Sequence, residues 1–307
     1  MIGWGIIGVG NVTEVKAAPA IFRSSDSDVV HVMRRDPDRA RDFAQRHAVE
    51  RWSTDAQAVI DDPNVTAVYI ATPTDTHHPY AIAAARAGKH VLVEKPMALS
   101  ATEARRMVET ADAAGVHLWV AYYRRTLPRC LKIRDLLHDG VLGRVLSVHT
   151  TWRKPTDFSN WRWDPQRNRG GEFYETACHT LDLLDWLLGP ATDAAGVTSP
   201  DTHAVSASYR FTDVTGSGSW AFGTPDHVDE TVLIGTRGVL SFASFAPTPI
   251  RITTETGTVT HEIPDPPHVH EPLVATILDE LRGTGTCPST GHSALRTAQV
   301  TDTILNP

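Results

Sequence analysis

Three titratable side chains recur at helical spacing in the segment 172–188, namely Glu175, His179 and Asp182. They stand at positions i, i+4 and i+7, so in a helix they lie along one face. The segment is otherwise rich in apolar residues, which predicts a buried helix, where unpartnered polar groups are costly. A histidine titrates near neutral pH and can exchange a proton with a substrate oxygen. The pattern indicates either acid–base chemistry at His179, with Glu175 orienting it or contacting the substrate, or a core histidine with satisfied hydrogen bonds.

A lysine follows one of the predicted strands. The run Glu94-Lys95-Pro96 comes directly after the apolar segment 90–93. In doubly wound sheets ligands bind beyond the carboxyl ends of the strands, so Lys95 is predicted to face that crevice. The alternative is a surface lysine paired with Glu94. Pro96 restricts the local chain and is a candidate for a cis peptide bond.

A glycine-rich turn separates the first predicted strand from the first predicted helix. Gly8 and Gly10 match the first two glycines of the dinucleotide fingerprint, where missing side chains let the backbone approach a pyrophosphate. Asn11 and Val12 begin the helix, whose N-terminus attracts the anion. Thr13 stands where a third Gly or Ala is usual. The turn predicts dinucleotide binding, and the alternative is an ordinary tight turn.

Two arginines mark the end of the second predicted strand, 29–33. An NAD site usually carries Asp or Glu here, to accept a hydrogen bond from the ribose 2′-hydroxyl. Arg34 and Arg35 would instead suit a 2′-phosphate, which a guanidinium binds bidentately. The sequence therefore predicts NADP(H) in preference to NAD(H). The alternative is a pair of solvated arginines bound to Asp36 or Asp38.

The order of the predicted elements indicates two domains. Strands and helices alternate through residues 1–121, which predicts a parallel sheet with helices on both faces. Asp36-Pro37 and the capping box Ser100 to Glu103 predict helix starts. In the remaining chain, 122–307, short alternating segments between 190 and 263 predict an antiparallel sheet with one solvated face.

Composition excludes several classes of protein. The 307 residues carry a formal net charge of −7, which argues against a general nucleic-acid binder. No apolar run approaches the roughly 18–20 residues of a membrane helix. The N-terminus has no signal-peptide pattern, and three cysteines form no disulfide framework. We expect a cytoplasmic protein.

These motifs together resemble the Gfo/Idh/MocA, or glucose–fructose oxidoreductase, family over nearly the whole chain. The resemblance rests on the glycine turn, Thr72-Pro73 with His77, Ala87-Gly88-Lys89-His90-Val91 leading into Glu94-Lys95-Pro96, Tyr122-Tyr123-Arg124-Arg125, and Gly170-Gly171 with Glu175 and His179 before Leu181-Asp182-Leu183-Leu184. It implies an α/β fold: an N-terminal Rossmann domain with a doubly wound parallel sheet, then a C-terminal α/β domain with a large, mostly antiparallel open sheet. That sheet often forms the subunit interface, so a homodimer or homotetramer is expected.

The resemblance also implies roles for individual residues. Lys95 would orient the substrate and the nicotinamide, His179 would be the acid–base group, and Tyr123 would lie near the substrate. Further residues at the strand ends are assigned to the cofactor, namely Thr72, Pro73, His77, Glu94 and Lys95. The family usually has Asp where Glu175 stands and often Gly where Glu172 stands. The longer Glu175 moves its carboxylate by about one C–C bond, roughly 1.5 Å, and a shift of that size can weaken catalysis.

The substrate class is predicted from the segment 157–169, in which Trp161 and Arg162 suit a polar ring, although ordinary loop packing is equally compatible. We expect an oxidoreductase that transfers a hydride to or from a sugar, keto-sugar or cyclitol. The alternatives are a dehydrogenase of a non-sugar, such as a dihydrodiol or an imine, and a non-catalytic nucleotide-binding protein.

A metal is not expected in this chain. Hydride transfer requires none, and three histidines near the C-terminus lack the spacing of metal ligands. Their Pro-rich surroundings predict a solvated loop. These histidines are His261, His268 and His270.

Overall fold

A computed structural model of the chain describes residues 1–24, 26–159, 163–164 and 171–306. The chain divides into two compact units. The first comprises Met1–Tyr123 and Pro266–Leu295, and the second comprises Arg124–Asp265 and Arg296–Pro307.

A six-stranded parallel sheet forms the core of the first unit. Its strands are β1 (Ile2–Ile7), β2 (Ser27–Met33), β3 (Arg51–Ser53), β4 (Ala67–Ile70), β5 (His90–Val93) and β6 (Leu118–Val120). Their order, β3-β2-β1-β4-β5-β6, is that of a doubly wound dinucleotide-binding sheet. The structure therefore confirms the predicted Rossmann sheet.

The helices between the strands of this unit include a π-helix (Thr13–Ala17), α1 (Ala18–Phe22), α2 (Pro37–Arg46), α3 (Ala56–Ile60), α4 (His77–Arg86) and α5 (Ala101–Ala114). Two of them, α2 and α5, begin where the predicted caps stand. The Asp36 carboxylate accepts from the first amides of α2. The Ser100 hydroxyl accepts from the Glu103 amide at 3.2 Å, and the Glu103 carboxylate accepts from the Leu99 amide at 3.0 Å. These contacts confirm the two predicted helix starts.

An eight-stranded sheet forms the core of the second unit. The helices α6 (Pro128–His138) and α7 (Gly171–Leu188) belong to this unit. The strands are β7 (Val145–Lys154), β8 (Ala191–Thr198), β9 (Ala204–Phe211), β10 (Val214–Phe222), β11 (Val228–Gly235), β12 (Gly238–Phe242), β13 (Ile250–Thr254) and β14 (Gly257–His261). Their order is β14-β13-β12-β11-β7-β10-β9-β8. Only β7 and β10 pair in parallel among these described strands, which confirms the predicted mostly antiparallel sheet.

One face of this sheet packs on α7, and the other face is exposed along β9. Along β9 buried and exposed residues alternate strictly, as expected for a half-solvated antiparallel strand. On the covered face the Phe173 ring of α7 lies edge-on to Trp220, with centroids 5.1 Å apart. The outer face carries Ser206, Ser208 and Arg210, all exposed. The sheet therefore holds α7, with His179, in a fixed position.

The last two helices are α8 (Glu271–Leu281) and α9 (Gly291–Leu305). The predicted domains 1–121 and 122–307 place both of them in the second domain. In the structure the segment Pro266–Leu295, which contains α8 and the start of α9, packs in the first unit. The Trp119 indole donates to Glu280 at 2.6 Å, and the Ser289 hydroxyl donates to the Val120 carbonyl at 2.7 Å. These contacts join sequence-distant segments, which local patterns do not reveal.

Two further findings concern the whole described chain. No helix among the described residues is both long and apolar enough to cross a membrane. The cysteines Cys130, Cys178 and Cys287 are all described and buried, and none of them takes part in a disulfide.

Candidate functional site

The glycine turn after β1 has one position that only glycine can fill. Gly8 has a φ of +105°, and a Cβ there would lie 2.8 Å from the Ala71 backbone. Gly10 is different, because a Cβ added to it would meet no described heavy atom within 4 Å. The Thr13 hydroxyl donates to the Gly8 carbonyl at 2.8 Å, so the residue at the usual third glycine ties the helix to the turn. Packing therefore requires Gly8 but not Gly10.

The amides inside the turn are already engaged. Those of Gly8 and Val9 donate to the Met33 carbonyl at 2.9 and 3.2 Å, and that of Gly10 donates to the Gly8 carbonyl at 3.0 Å. The next amides along the chain belong to the helical turn that begins at Asn11. A pyrophosphate would therefore be bound by the start of this helix.

The two arginines after β2 have separate environments. Arg34 is half-buried, and its guanidinium donates to the Val9 carbonyl in the glycine turn. Arg35 is exposed and lines a cavity of about 300 Å³ beside Thr54 and Tyr80. Neither arginine has an ion pair to Asp36 or Asp38 among the described residues. Those carboxylates pair with Arg39 at 3.5 Å and with Arg41 at 2.6 Å. Arg34 thus supports the turn, whereas Arg35 presents its charge to the cavity.

His77 joins the loops that follow β4 and β5. Its ring is buried, with Nδ1 2.9 Å from the Pro96 carbonyl and Nε2 2.8 Å from the Thr72 carbonyl. A neutral imidazole can donate to one of these acceptors, and an imidazolium can donate to both. The Lys95–Pro96 peptide bond is cis, as the sequence suggested. His77 therefore fixes the loops that carry Thr72 and Lys95.

Glu94 is buried beside the lysine that follows it. Its carboxylate accepts from the Tyr69 hydroxyl at 2.7 Å and from the Lys95 amide at 3.2 Å. The Lys95 side chain itself is half-buried. The Glu94 carboxylate therefore anchors the backbone from which Lys95 projects.

The charges around Glu94 keep it ionised. Burial by itself raises the pKa of the Glu94 carboxyl. The positive charges of His270, Lys95 and Lys16 and the Tyr69 hydrogen bond outweigh burial and hold that pKa below its usual value. Glu94 is therefore a buried anion beneath the loop that carries Lys95.

The prediction of a solvated loop is wrong for His270. Its side chain is fully buried, with Nε2 3.7 Å from the Glu94 carboxylate. Its ring centroid lies 4.9 Å from that of Tyr123, and the Lys16 ammonium lies 5.3 Å from the same tyrosine ring. His270 is buried because Pro266–Leu295 packs in the first unit. No local motif marked Lys16 or His270, since their contacts join distant parts of the chain.

The predicted stripe on α7 separates into two environments. His179 is 3% exposed, and its Nδ1 lies 2.6 Å from Nη1 of Arg124. Asp182 is fully buried and binds the Arg125 guanidinium through both carboxylate oxygens at 2.7 and 2.8 Å. Glu175 is half-buried. Of the stripe, His179 is thus paired with an arginine through Nδ1, and Asp182 is a buried ion partner of Arg125.

The start of α7 accounts for one departure from the family pattern. The Glu172 carboxylate pairs with the Lys154 ammonium at 2.7 Å, so the residue at the usual third glycine joins α7 to β7. The predicted substrate residues Trp161 and Arg162, and Gly170, lie outside the described residues.

Comparisons with known proteins agree with this architecture. Residues 2–122 match a family model described as oxidoreductase family, NAD-binding Rossmann fold, and residues 130–241 match the GFO/IDH/MocA C-terminal domain. Oxidoreductase P35 of Formosa agariphila is 37% identical over 285 residues, which are 89% of this chain and 88% of that protein.

Two further matches are both to levoglucosan dehydrogenase. Levoglucosan dehydrogenase of Pseudarthrobacter phenanthrenivorans is 32% identical over 197 residues, 62% of this chain and 50% of that protein. A solved structure of levoglucosan dehydrogenase in complex with NADH and levoglucosan has the same fold, with a TM-score of 0.87 at 21% identity over 99% of this chain and 96% of that chain. Taken with the two family matches and the Rossmann sheet, these relatives show that the chain belongs to the Gfo/Idh/MocA family of NAD(P)-dependent oxidoreductases.

Proposed function

We propose that this enzyme uses NADP(H) to transfer a hydride to or from a hydroxyl or carbonyl carbon of a sugar, keto-sugar or cyclitol. The observation that carries the proposal is the position of Lys95, which follows β5 in the same parallel sheet whose β1 leads into the glycine turn. Carboxyl ends of neighbouring parallel strands form one ligand-binding edge. The name of the levoglucosan dehydrogenase relative supports a polyhydroxylated substrate.

The glycine turn fits a dinucleotide pyrophosphate. The space beside Gly10 is open, because a Cβ at this position would have no described heavy atom within 4 Å, and a helix begins at Asn11. Helix N-termini bind phosphate through their first amides and their partial positive charge. A bound nicotinamide dinucleotide supplies the hydride donor or acceptor.

Two glycine variants test this assignment against a purely structural turn. We expect Gly8→Ala to lower the free energy of unfolding by about 3 kcal/mol or more, because it combines a positive φ with a backbone clash. Gly10→Ala should retain the wild-type unfolding free energy but weaken dinucleotide binding, since its methyl group would occupy the proposed pyrophosphate position. Urea unfolding and NADPH titration measure the two effects. Unchanged NADPH affinity in Gly10→Ala would contradict the proposed position of the pyrophosphate.

Arg35 supports the preference for NADP(H). It is exposed at the end of β2 and lines the cavity beside Tyr80, where a ribose 2′-phosphate would be expected. Arg34 is committed to the Val9 carbonyl and would act by holding the turn. We therefore assign recognition of the 2′-phosphate to Arg35.

A charge reversal at this position tests the cofactor preference. We expect Arg35→Asp to raise the Kd for NADPH roughly 10- to 100-fold, since a hydrogen bond to a charged group contributes about 1.5–3 kcal/mol. The Kd for NADH should change little. Arg41→Asp, on the exposed surface of α2, makes the same change of net charge and should leave both affinities near wild type. Fluorescence titration measures the Kd of each variant for NADPH and for NADH. A wild-type preference for NADH would show that the assignment of Arg35 to the 2′-phosphate is wrong.

The other predicted site residues would act on the alcohol group of the substrate. In oxidation the carbon loses a hydride to the nicotinamide and the oxygen loses a proton to a protein group, and in reduction both steps reverse. The Lys95 ammonium would orient the substrate oxygen, and His179 would form a hydrogen bond to it. Glu175 and Tyr123 would contact the other polar groups of the substrate.

The substrate class is tested with a panel of compounds. Purified enzyme would be assayed with NADP+ and sugars, cyclitols or a trans-dihydrodiol, and with NADPH and keto-sugars or an imine. Turnover of a sugar, keto-sugar or cyclitol supports the proposal. Turnover of only the dihydrodiol or the imine would show that the enzyme is a dehydrogenase of a non-sugar. Dinucleotide binding without turnover of any compound would indicate a non-catalytic protein.

We also propose that the outer face of the eight-stranded sheet pairs with a second copy of the chain as a homodimer or homotetramer. The exposed residues Ser206, Ser208 and Arg210 of β9 offer hydrogen-bonding groups to a partner subunit. Light scattering would measure the mass of the assembly, and a monomer at micromolar concentration would contradict the proposal.

A further inference from the structure

We propose that Arg124 is a positioning residue that determines which ring nitrogen of His179 carries the proton, and so makes His179 a hydrogen-bond donor toward the substrate. The proton position follows from a contact within the second unit. The consequence for the substrate rests on the proposed function.

The contact defines the state of the ring. Nη1 of Arg124 lies 2.6 Å from Nδ1 of His179, and the two residues are 2% and 3% exposed. A guanidinium is always protonated in proteins and has donors only. Nδ1 must therefore accept the hydrogen bond, which requires a lone pair on that nitrogen. The ring proton is then on Nε2 and the imidazole is neutral.

Arg124 is itself held in this orientation. Its Nε donates to the Ser244 carbonyl at 2.7 Å, and its guanidinium carbon lies 4.0 Å from the centroid of the Phe245 ring. The His179 ring meets the same Phe245 edge-on, with centroids 5.3 Å apart. Arg124 and His179 thus share one aromatic support, and the guanidinium is fixed from two directions besides the histidine.

The loop that provides this support is held on both sides. The Asp229 carboxylate accepts from the amides of Ser244, Phe245 and Ala246 at 2.8, 2.6 and 2.9 Å. The Arg129 guanidinium donates to the carbonyls of Ala243, Ser244 and Ala246 at 2.8, 3.1 and 3.0 Å. With its amides and carbonyls engaged by two charged side chains, the loop provides a rigid base for the pair of Arg124 and His179.

The fixed proton changes the role that family resemblance implied for His179. An Nε2–H group can donate to a substrate carbonyl or alkoxide oxygen, but Nε2 has no lone pair with which to accept a substrate proton. In alcohol oxidation the carbon gives its hydride to the nicotinamide, while the hydroxyl proton passes to a different group. Lys95 can take that proton once its ammonium has released one to solvent, and in reduction the ammonium gives its proton to the substrate oxygen. His179 would then polarise the oxygen without changing its own protonation.

The proton position is tested directly by nitrogen-15 NMR of the whole enzyme labelled at histidine, with His179→Gln used to assign the signals. We expect wild-type His179 to show an unprotonated Nδ1 and a protonated Nε2 at neutral pH. Arg124→Met, which keeps the side-chain length without donors, should move the Nδ1 signal toward the average of the two neutral tautomers. Arg124→Lys retains a donor and should restore the wild-type signal. A protonated wild-type Nδ1, or an unchanged Nδ1 signal in Arg124→Met, would overturn the proposal.

Activity measurements then separate this inference from the proposed function. Arg124→Met should lower kcat about tenfold or more, with an unchanged Kd for NADPH, and Arg124→Lys should recover most of the loss. Arg134→Met, an exposed arginine of α6 paired with Asp135, is the matched control and should retain wild-type kcat. If His179→Gln turned over substrate normally, the catalytic role would be wrong while the NMR result stood. Should Arg124→Met fail to fold, the wild-type and Arg124→Lys spectra still decide the proton position.

Discussion

Replacing Lys95 with methionine is expected to lower kcat at least about 100-fold, the order of magnitude that proton transfer and charge stabilisation contribute to catalysis. The Kd for NADPH should stay within a few-fold of wild type. Methionine retains the length of the side chain but removes the ammonium. The backbone that carries it keeps its anchor, because Glu94 accepts from the amide of residue 95 and from Tyr69. Steady-state kinetics with the best substrate of the panel, and fluorescence titration with NADPH, measure the two quantities.

Lys89, which precedes β5, provides a control at the opposite end of this strand. Its ammonium donates to the carbonyls of Asp62 and Val65 at 3.0 and 2.7 Å, so it supports the amino end of the sheet. Lys89→Met should reduce the free energy of unfolding slightly and leave kcat near wild type. If Lys95→Met had the same kcat as Lys89→Met, Lys95 would have no role in the chemistry.

The second large effect concerns the buried ion pair between Arg125 and α7. We expect Arg125→Met to lower the free energy of unfolding by about 3–5 kcal/mol, the usual cost of leaving a buried charge without its partner. Arg125 is 3% exposed and its guanidinium binds Asp182 and Asp185. Without it, the cation that remains paired with these two buried carboxylates among the described residues is Arg296, which lies 2.7 Å from Asp185. Urea unfolding followed by circular dichroism measures the loss.

Arg153→Met is the matched control for this variant. Arg153 also binds one aspartate in the second unit, with Nε 2.9 Å from both oxygens of Asp226, but the two side chains are 41% and 51% exposed. Exposed ion pairs contribute about 0–1 kcal/mol, so this variant should unfold almost as wild type does. Adding Asp182→Leu to Arg125→Met should recover part of the stability by removing a stranded charge. Equal losses for Arg125→Met and Arg153→Met would show that burial does not determine the strength of the pair.

Local sequence determined much of the first unit. The helix starts at Asp36 and Ser100 follow from side chains that reach the first amides of their own helices, and such contacts span only a few residues. The glycine turn is equally local, because the positive φ of Gly8 is a property of one residue. Strand and helix periods then predict the order of elements, and short connections leave few ways to arrange them.

Tertiary structure decided which polar groups meet. Arg124 and His179 are 55 positions apart, and no spacing rule joins a residue after β6 to one in α7. His270 is buried beside Glu94 although its neighbours in the sequence predict a loop. The adjacent residues Arg34 and Arg35 are of the same type, yet Arg34 binds the glycine turn and Arg35 lines a cavity. The amino-acid order by itself therefore determined the elements and supplied the residue types of the proposed site, whereas the partners of each charge depended on packing. A hydrogen bond forms only where folding places donor and acceptor within about 3 Å.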